Sequence, residues 1–302
     1  MKRLFSAVVA MLCAAVCAFG LLACEGEGSN RNNYTLKLKA VSYDGKSGFS
    51  VTDVHETAKE VIIPSKYKGL PVVGIEASAF SHSSALESVT VPDSVKYIGN
   101  YAFAWCNNLK SATIEGDVKE WGKSIFASCK ALTDVTLPDE MDVIPEGMFN
   151  FCEALTEIHI PYKVQSIGKD AFSYCYALTD VTVGSFLKEI GESAFANCRG
   201  LSGFTIPDSV MTIGKQAFAR CEAMTRLDLG TSVQSIGESA FFNCKNVSKI
   251  IIPLSVTTIG YDAFSLCSSA TVYCRAATKP AGWDTYWGEI WVDEVVWNYQ
   301  GN

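Results

Sequence analysis

The chain has 302 residues, 48% of them apolar and 19% charged, with a formal net charge of −7. That balance excludes a nucleic-acid binder built on a basic face, because phosphates are met by clustered Lys and Arg. With only 9 prolines and ample apolar residues, the composition is that of a folded chain with a continuous core, not a disordered one.

At the N-terminus, Lys2 and Arg3 precede an almost wholly apolar run from Leu4 to Leu22. It ends in Leu21-Leu22-Ala23-Cys24, which resembles a bacterial lipobox. Residues 1–23 are therefore expected to be a lipoprotein signal peptide, with Cys13 and Cys17 lost on cleavage and Cys24 as the lipidated residue. Residues 25–33 (Glu-Gly-Glu-Gly-Ser-Asn-Arg-Asn-Asn) hold nothing to bury, so 24–33 reads as lipidated cysteine plus flexible tether. This organisation predicts an extracytoplasmic protein, lipid-anchored to the cell envelope and facing outside.

From there a repeat takes over. Phenylalanine recurs every 23 residues at Phe80, Phe103, Phe126, Phe149, Phe172, Phe195, Phe218, Phe241 and Phe264, nine units without insertion or deletion. Three residues after each stands a cysteine, from Cys106 to Cys267, except in the first unit, which has Ser83. Five residues before each stands isoleucine, except for Trp121 in the third unit.

Each unit has two halves. Leu178-Thr-Asp-Val181-Thr-Val183 alternates apolar and polar residues, the period of a half-buried strand. A Pro or Gly such as Pro161, Gly184 or Pro207 then ends the strand. The stretch through Ile236-Gly-Glu-Ser-Ala-Phe241-Phe-Asn-Cys244 predicts one or two turns of helix, too short to stand alone. One unit cannot bury its own apolar side, whereas stacked units can.

The pattern Ile-Pro-x-x-Val-x-x-Ile-Gly-x-x-Ala-Phe-x-x-Cys, as in Ile206 to Cys221, resembles the BspA-like class of bacterial leucine-rich repeats. Val61-Ile62-Ile63-Pro64 and Gly69-Leu70-Pro71 resemble its opening half-repeat, and Lys279-Pro280-Ala-Gly-Trp283 its closing segment. The resemblance implies an α/β solenoid: an arc of parallel strands backed by short helices, in nine 23-residue units. Residues 34–74 are then an N-terminal cap and opening half-repeat, 75–275 the solenoid and 276–302 a C-terminal cap. The resemblance further implies a surface protein, some of whose relatives act as adhesins.

Candidate chemistry is sparse. The cysteines come singly, one per unit, rather than in the close pairs of metal sites. They read as small buried hydrophobes, with disulfides between coils and metal ligation as the alternatives. Cys274 stands outside the column, either a thiol or disulfide-paired with Cys267, and in the folded protein a thiol reagent is expected to reach Cys274 at most. His55, His82 and His159 lie in no motif with a nucleophile. Asp134, Glu157 and Asp180 share one repeat position, but a flat carboxylate row without a pocket does not make a glycosidase pair. Neither an enzyme, a cofactor nor a metal site is expected. Trp283, Trp287, Trp291 and Trp297 read as the cap that every solenoid end needs, with a carbohydrate platform as the alternative.

The outward strand positions remain. Eight residues past the phenylalanine come Asp134, Glu157, Asp180, Arg226 and Lys249, and ten past come Thr136, His159 and Thr182. These eight are the candidate ligand-binding residues, and the expected partner is an extracellular protein, a host matrix protein or another surface protein. The rival reading is an envelope protein that coats or spaces without a defined ligand.

Overall fold

The computed structural model describes residues 36–288 and 292–301. The signal segment, Cys24, the tether and Trp291 lie outside the described residues. Each unit makes one coil of a β-solenoid, about 11 turns in all. In a central coil a short front strand, Glu157–His159, is followed by a turn at Pro161, which is buried. A two-residue back strand, Ser166–Ile167, follows, and a turn-rich segment carrying Phe172 leads to the next front strand, Asp180–Thr182.

Coils pair in parallel with their neighbours at the same repeat position. On the back, Ile144 sits against Ile167, Ile167 against Ile190, Ile190 against Ile213, and so on to Ile259. On the front, Ser88 faces Ser111, Glu157 faces Asp180, and Lys249 faces Thr271. The register is therefore the repeat itself. A slip of one residue would turn every isoleucine outward. An antiparallel hairpin, Leu36–Tyr43 with Lys46–Val54, closes the N-terminal end, its second strand pairing in parallel with Leu70–Ile75.

The third side corrects the sequence reading. Among the described residues it contains no helix; the segment around each phenylalanine is a chain of tight turns. Two residues per unit have positive φ, two before and two after the phenylalanine, for example Asp170 at 54° and Tyr174 at 63° around Phe172. A left-handed residue every few positions prevents right-handed helix. The backbone is satisfied in two other ways. Within the coil, Cys175 N–H donates to Phe172 O at 3.2 Å; between coils, Phe172 N–H donates to Ala194 O at 2.8 Å. The physical reason is thickness. Adjacent phenylalanine rings stack at 4.7–5.7 Å along the whole column, close to the strand spacing of about 4.8 Å. A helix, about 10 Å across with its side chains, does not fit at that pitch.

The core is a set of columns. All nine phenylalanines of the repeat are fully buried. Beside them each cysteine from Cys106 to Cys267 donates its S–H to the carbonyl oxygen of the phenylalanine 26 residues earlier, at 3.0–3.3 Å. Cysteine suits this place because it is a small hydrophobe with one weak donor, so burying it costs little. The exception in the first unit follows: 26 residues before Cys106 is Phe80, but the corresponding place before Ser83 is Thr57. The eight column thiols are not joined in disulfides, and each S–H is turned to a carbonyl of the preceding coil instead. Cys274 is likewise in no disulfide and fully buried, so it is no more open to a reagent than the column.

Burial pushes the Cys175 thiol up to about 12 and holds Cys152 and Cys198 well above the ordinary thiol range. The thiolate is the reactive form, so the folded protein is expected to resist maleimide at every cysteine from Cys106 to Cys274 near neutral pH. After denaturation all nine described thiols should label. Peptide mapping by mass spectrometry reads this out, and rapid native labelling at Cys152 or Cys175 would contradict the burial.

At the C-terminal end, Trp287 and Trp283 are buried at 0% and 3% exposure. Trp287 stands edge-on to Phe264 at 5.9 Å, and Trp283 Nε1 donates to Val256 O at 3.2 Å. These two tryptophans cap the core and offer no face to a sugar, so the carbohydrate-platform alternative fails for them.

Candidate binding surfaces

The front strands bring the predicted residues together as a ladder. Asp134, Glu157, Asp180, Arg226 and Lys249 are exposed, as are Thr136, His159 and Thr182 in the row beside them. Glu157 and Asp180 lie directly opposite in register, as do His159 and Thr182, whose Nδ1 and Oγ1 are 2.7 Å apart. Asp134 stands one coil earlier, opposite Ser111. The basic end is less available than the sequence suggests. Arg226 pairs with Asp228 at 3.1 Å, and the Lys249 ammonium lies over the rings of Tyr273 and Tyr299 at 5.4 and 5.6 Å.

Elsewhere charges are neutralised from coil to coil. Lys123 meets Glu146, Lys169 meets Glu192, and Lys215 meets Glu238, all in one column and all one repeat apart. Among the described residues no salt bridge engages Asp134, Glu157 or Asp180. Like charges directly opposite across strands are unfavourable, so at Glu157 and Asp180 stacking works against stability. Among the described residues no group of three or more His, Cys, Asp or Glu is placed to hold a metal ion.

A second surface was not foreseen. Residues two past each phenylalanine form a column on the turn side: His82, Trp105, Ser128, Phe151 and Tyr174, then Asn197, Arg220, Asn243 and Leu266, all with φ of 58–63°. His82 stacks on Trp105 at 4.9 Å and 3°, and Phe151 on Tyr174 at 4.4 Å and 5°. Ser128 interrupts the stack. In the neighbouring column Tyr101 is followed by Ser124 and Gly147, so the floor beneath the interruption is also small. The result is a notch of about 400 Å³ between Tyr101 and Trp105 on one side and Phe151 on the other, with Ser128, Asn150 and Asp170 among its lining. The same repeat arithmetic that exposes the core column would have revealed it; the sequence reading followed only the strand face.

The repeats match the family described as BspA type leucine rich repeat region, in 6 copies over residues 73–202 and 165–280. No catalytic family is indicated. The chain is similar to the crystal structure of a T. pallidum leucine-rich repeat protein, at 27% identity and a TM-score of 0.51, over 70% of this chain and 87% of that one. More distant likenesses include a leucine rich cell surface protein of Faecalibacterium prausnitzii A2-165, at 23% identity and a TM-score of 0.36, over 92% and 97% of the two chains. Another is the pneumococcal vaccine antigen PcpA, at 14% identity and 0.40, over 89% and 85%. No curated protein matches the chain. With matched repeats running from residue 73 to residue 280, the chain belongs to the BspA-type leucine-rich repeat family.

Proposed function

We propose that this chain is an extracytoplasmic binding scaffold whose front strand face takes up a protein partner bearing a basic patch, in an adhesive or host-interaction role. Its support is the acidic row. Core columns repeat almost without change, and a surface column beyond the back strands alternates Lys with Glu so that coils attract. At Asp134, Glu157 and Asp180 three carboxylates follow one another instead, exposed and without lysine. A solenoid that only had to stand would gain from a lysine there; a surface that steers a cationic partner gains from the carboxylates. In the same reading Cys24 carries the lipid that holds the scaffold at the envelope, with residues 25–33 as its tether.

Reversing all three charges (Asp134→Lys, Glu157→Lys, Asp180→Lys) is the test. Stability should change by about 0.5 kcal/mol or less per exposed site. Retention on immobilised extracellular matrix proteins should fall, mainly through slower association, and the remaining binding should lose most of its salt dependence. Surface plasmon resonance at two salt concentrations measures both. A variant that binds as the parent does at both salts would dismiss this face as the binding surface.

A further inference from the structure

We propose that the notch at Ser128 is a second binding site, separate from the strand face, which takes a pyranose ring of a neutral glycan between aromatic walls. The column supplies the first argument. From His82 to Tyr174 it runs aromatic, aromatic, serine, aromatic, aromatic before turning non-aromatic at Asn197, so within these five coils Ser128 leaves a gap one ring wide between two stacked pairs. The walls are two coil steps apart, each step about 4.8 Å, which leaves room for one ring-thick slab. Tyr101 and Trp105 are left 41% and 39% exposed at its edge. A ligand ring at the level of Ser128 would complete the stack and cover them.

The lining decides what kind of ring. Sites for small ligands combine aromatic walls with a few placed polar groups, and here those groups are the Ser128 hydroxyl, the Asn150 amide and the Asp170 carboxylate. A pyranose presents C–H faces to the walls and hydroxyls around its rim, matching both. The aromatic side chain of a peptide would match the walls but set the Ser128 hydroxyl and the Asp170 carboxylate against an apolar edge. Burial holds the Asp170 carboxyl above its usual range, so hydroxyl donors from a sugar would relieve it. Charge narrows the class further. Glu146, also lining the notch, is neutralised by Lys123 at 2.5 Å, whereas among the described residues no salt bridge engages Asp170, whose charge disfavours uronic and sialic acids.

Two variants separate a site from a mere surface dent. Ser128→Tyr fills the notch, and the fold tolerates it: Tyr174 occupies the same repeat position at φ 63°, against 60° for Ser128. Phe151→Ala removes a wall. The full chain is titrated calorimetrically with neutral tetrasaccharides of β-1,4-glucose, β-1,4-mannose and α-1,4-glucose, with N-acetyl-tryptophanamide as the aromatic control. At least one tetrasaccharide should bind, Phe151→Ala should weaken it tenfold or more, and Ser128→Tyr should abolish measurable heat while circular dichroism stays unchanged. The proposal is overturned if no tetrasaccharide binds or if Ser128→Tyr binds as the parent does. Binding of N-acetyl-tryptophanamide alone would overturn the sugar in favour of a peptide ring.

Discussion

Replacing Phe172 with alanine is expected to destabilise the fold by about 3–5 kcal/mol, the cost of losing a buried aromatic together with the cavity it leaves. Phe172 is fully buried and stacks on both neighbours, Phe149 at 5.3 Å and Phe195 at 5.1 Å. Solenoid stability is carried by the interfaces between adjacent repeats, and this substitution weakens two of them. Phe264 offers the comparison. It keeps one stacked neighbour, Phe241, but its other side meets Trp287 edge-on. Its alanine variant should lose less, though not little, because the tryptophan cap buries it as completely as the repeats bury Phe172. Urea unfolding followed by circular dichroism measures both. The central variant is also expected to broaden the transition, as the two halves separate energetically. A loss below about 1 kcal/mol at Phe172 would mean that the phenylalanine column does not carry the core.

Much of this was legible in the sequence because a solenoid writes its contacts into its period. Residues one repeat apart become neighbours, so the identity of Ile167, Ile190 and Ile213 already states which side chains meet. The cysteine column was legible as buried, but its bond to the preceding coil was not, since only the stacked geometry puts Cys198 within 3.1 Å of Phe172 O. The helices failed for a different reason. Gly-Glu-Ser-Ala-Phe has spacing and propensity compatible with a helical turn, and the left-handed residues that forbid it are Ser193, Asn197, Ser239 and Asn243, none of them glycine. Only Gly147, at φ 64°, marks such a place openly. The surface was read on one side alone. The strand positions followed from alternation, while the aromatic column of Trp105 and Phe151 lies in the segment assigned to helix, where its spacing had no meaning.

The sharpest test of coil spacing is a methyl group. Gly191→Ala is expected to cost about 1–3 kcal/mol through overpacking. A Cβ built there would lie 2.7 Å from Ile167 O, 2.9 Å from Gly168 C and 3.0 Å from Lys169 N, all backbone of the preceding coil. No side chain can swing away, so the coils themselves must part, and parting them stretches the Gly191 N–H bond to Ile167 O, now 2.8 Å. The same approach recurs at Gly168, Gly214, Gly237 and Gly260. Pro145 takes the place of this glycine in the fourth unit, and nothing in the structure explains that substitution. Gly203→Ala is the matched control. Its Cβ would meet only Arg226, at 3.5 Å, which is ordinary contact. That variant should be neutral or gain up to about 1 kcal/mol, since alanine restricts the unfolded chain more than glycine does. The two proteins differ from the parent by the same atoms, so a difference between their urea midpoints reports where the methyl goes. Equal midpoints would show that the coils are not held at strand spacing along the back of the solenoid.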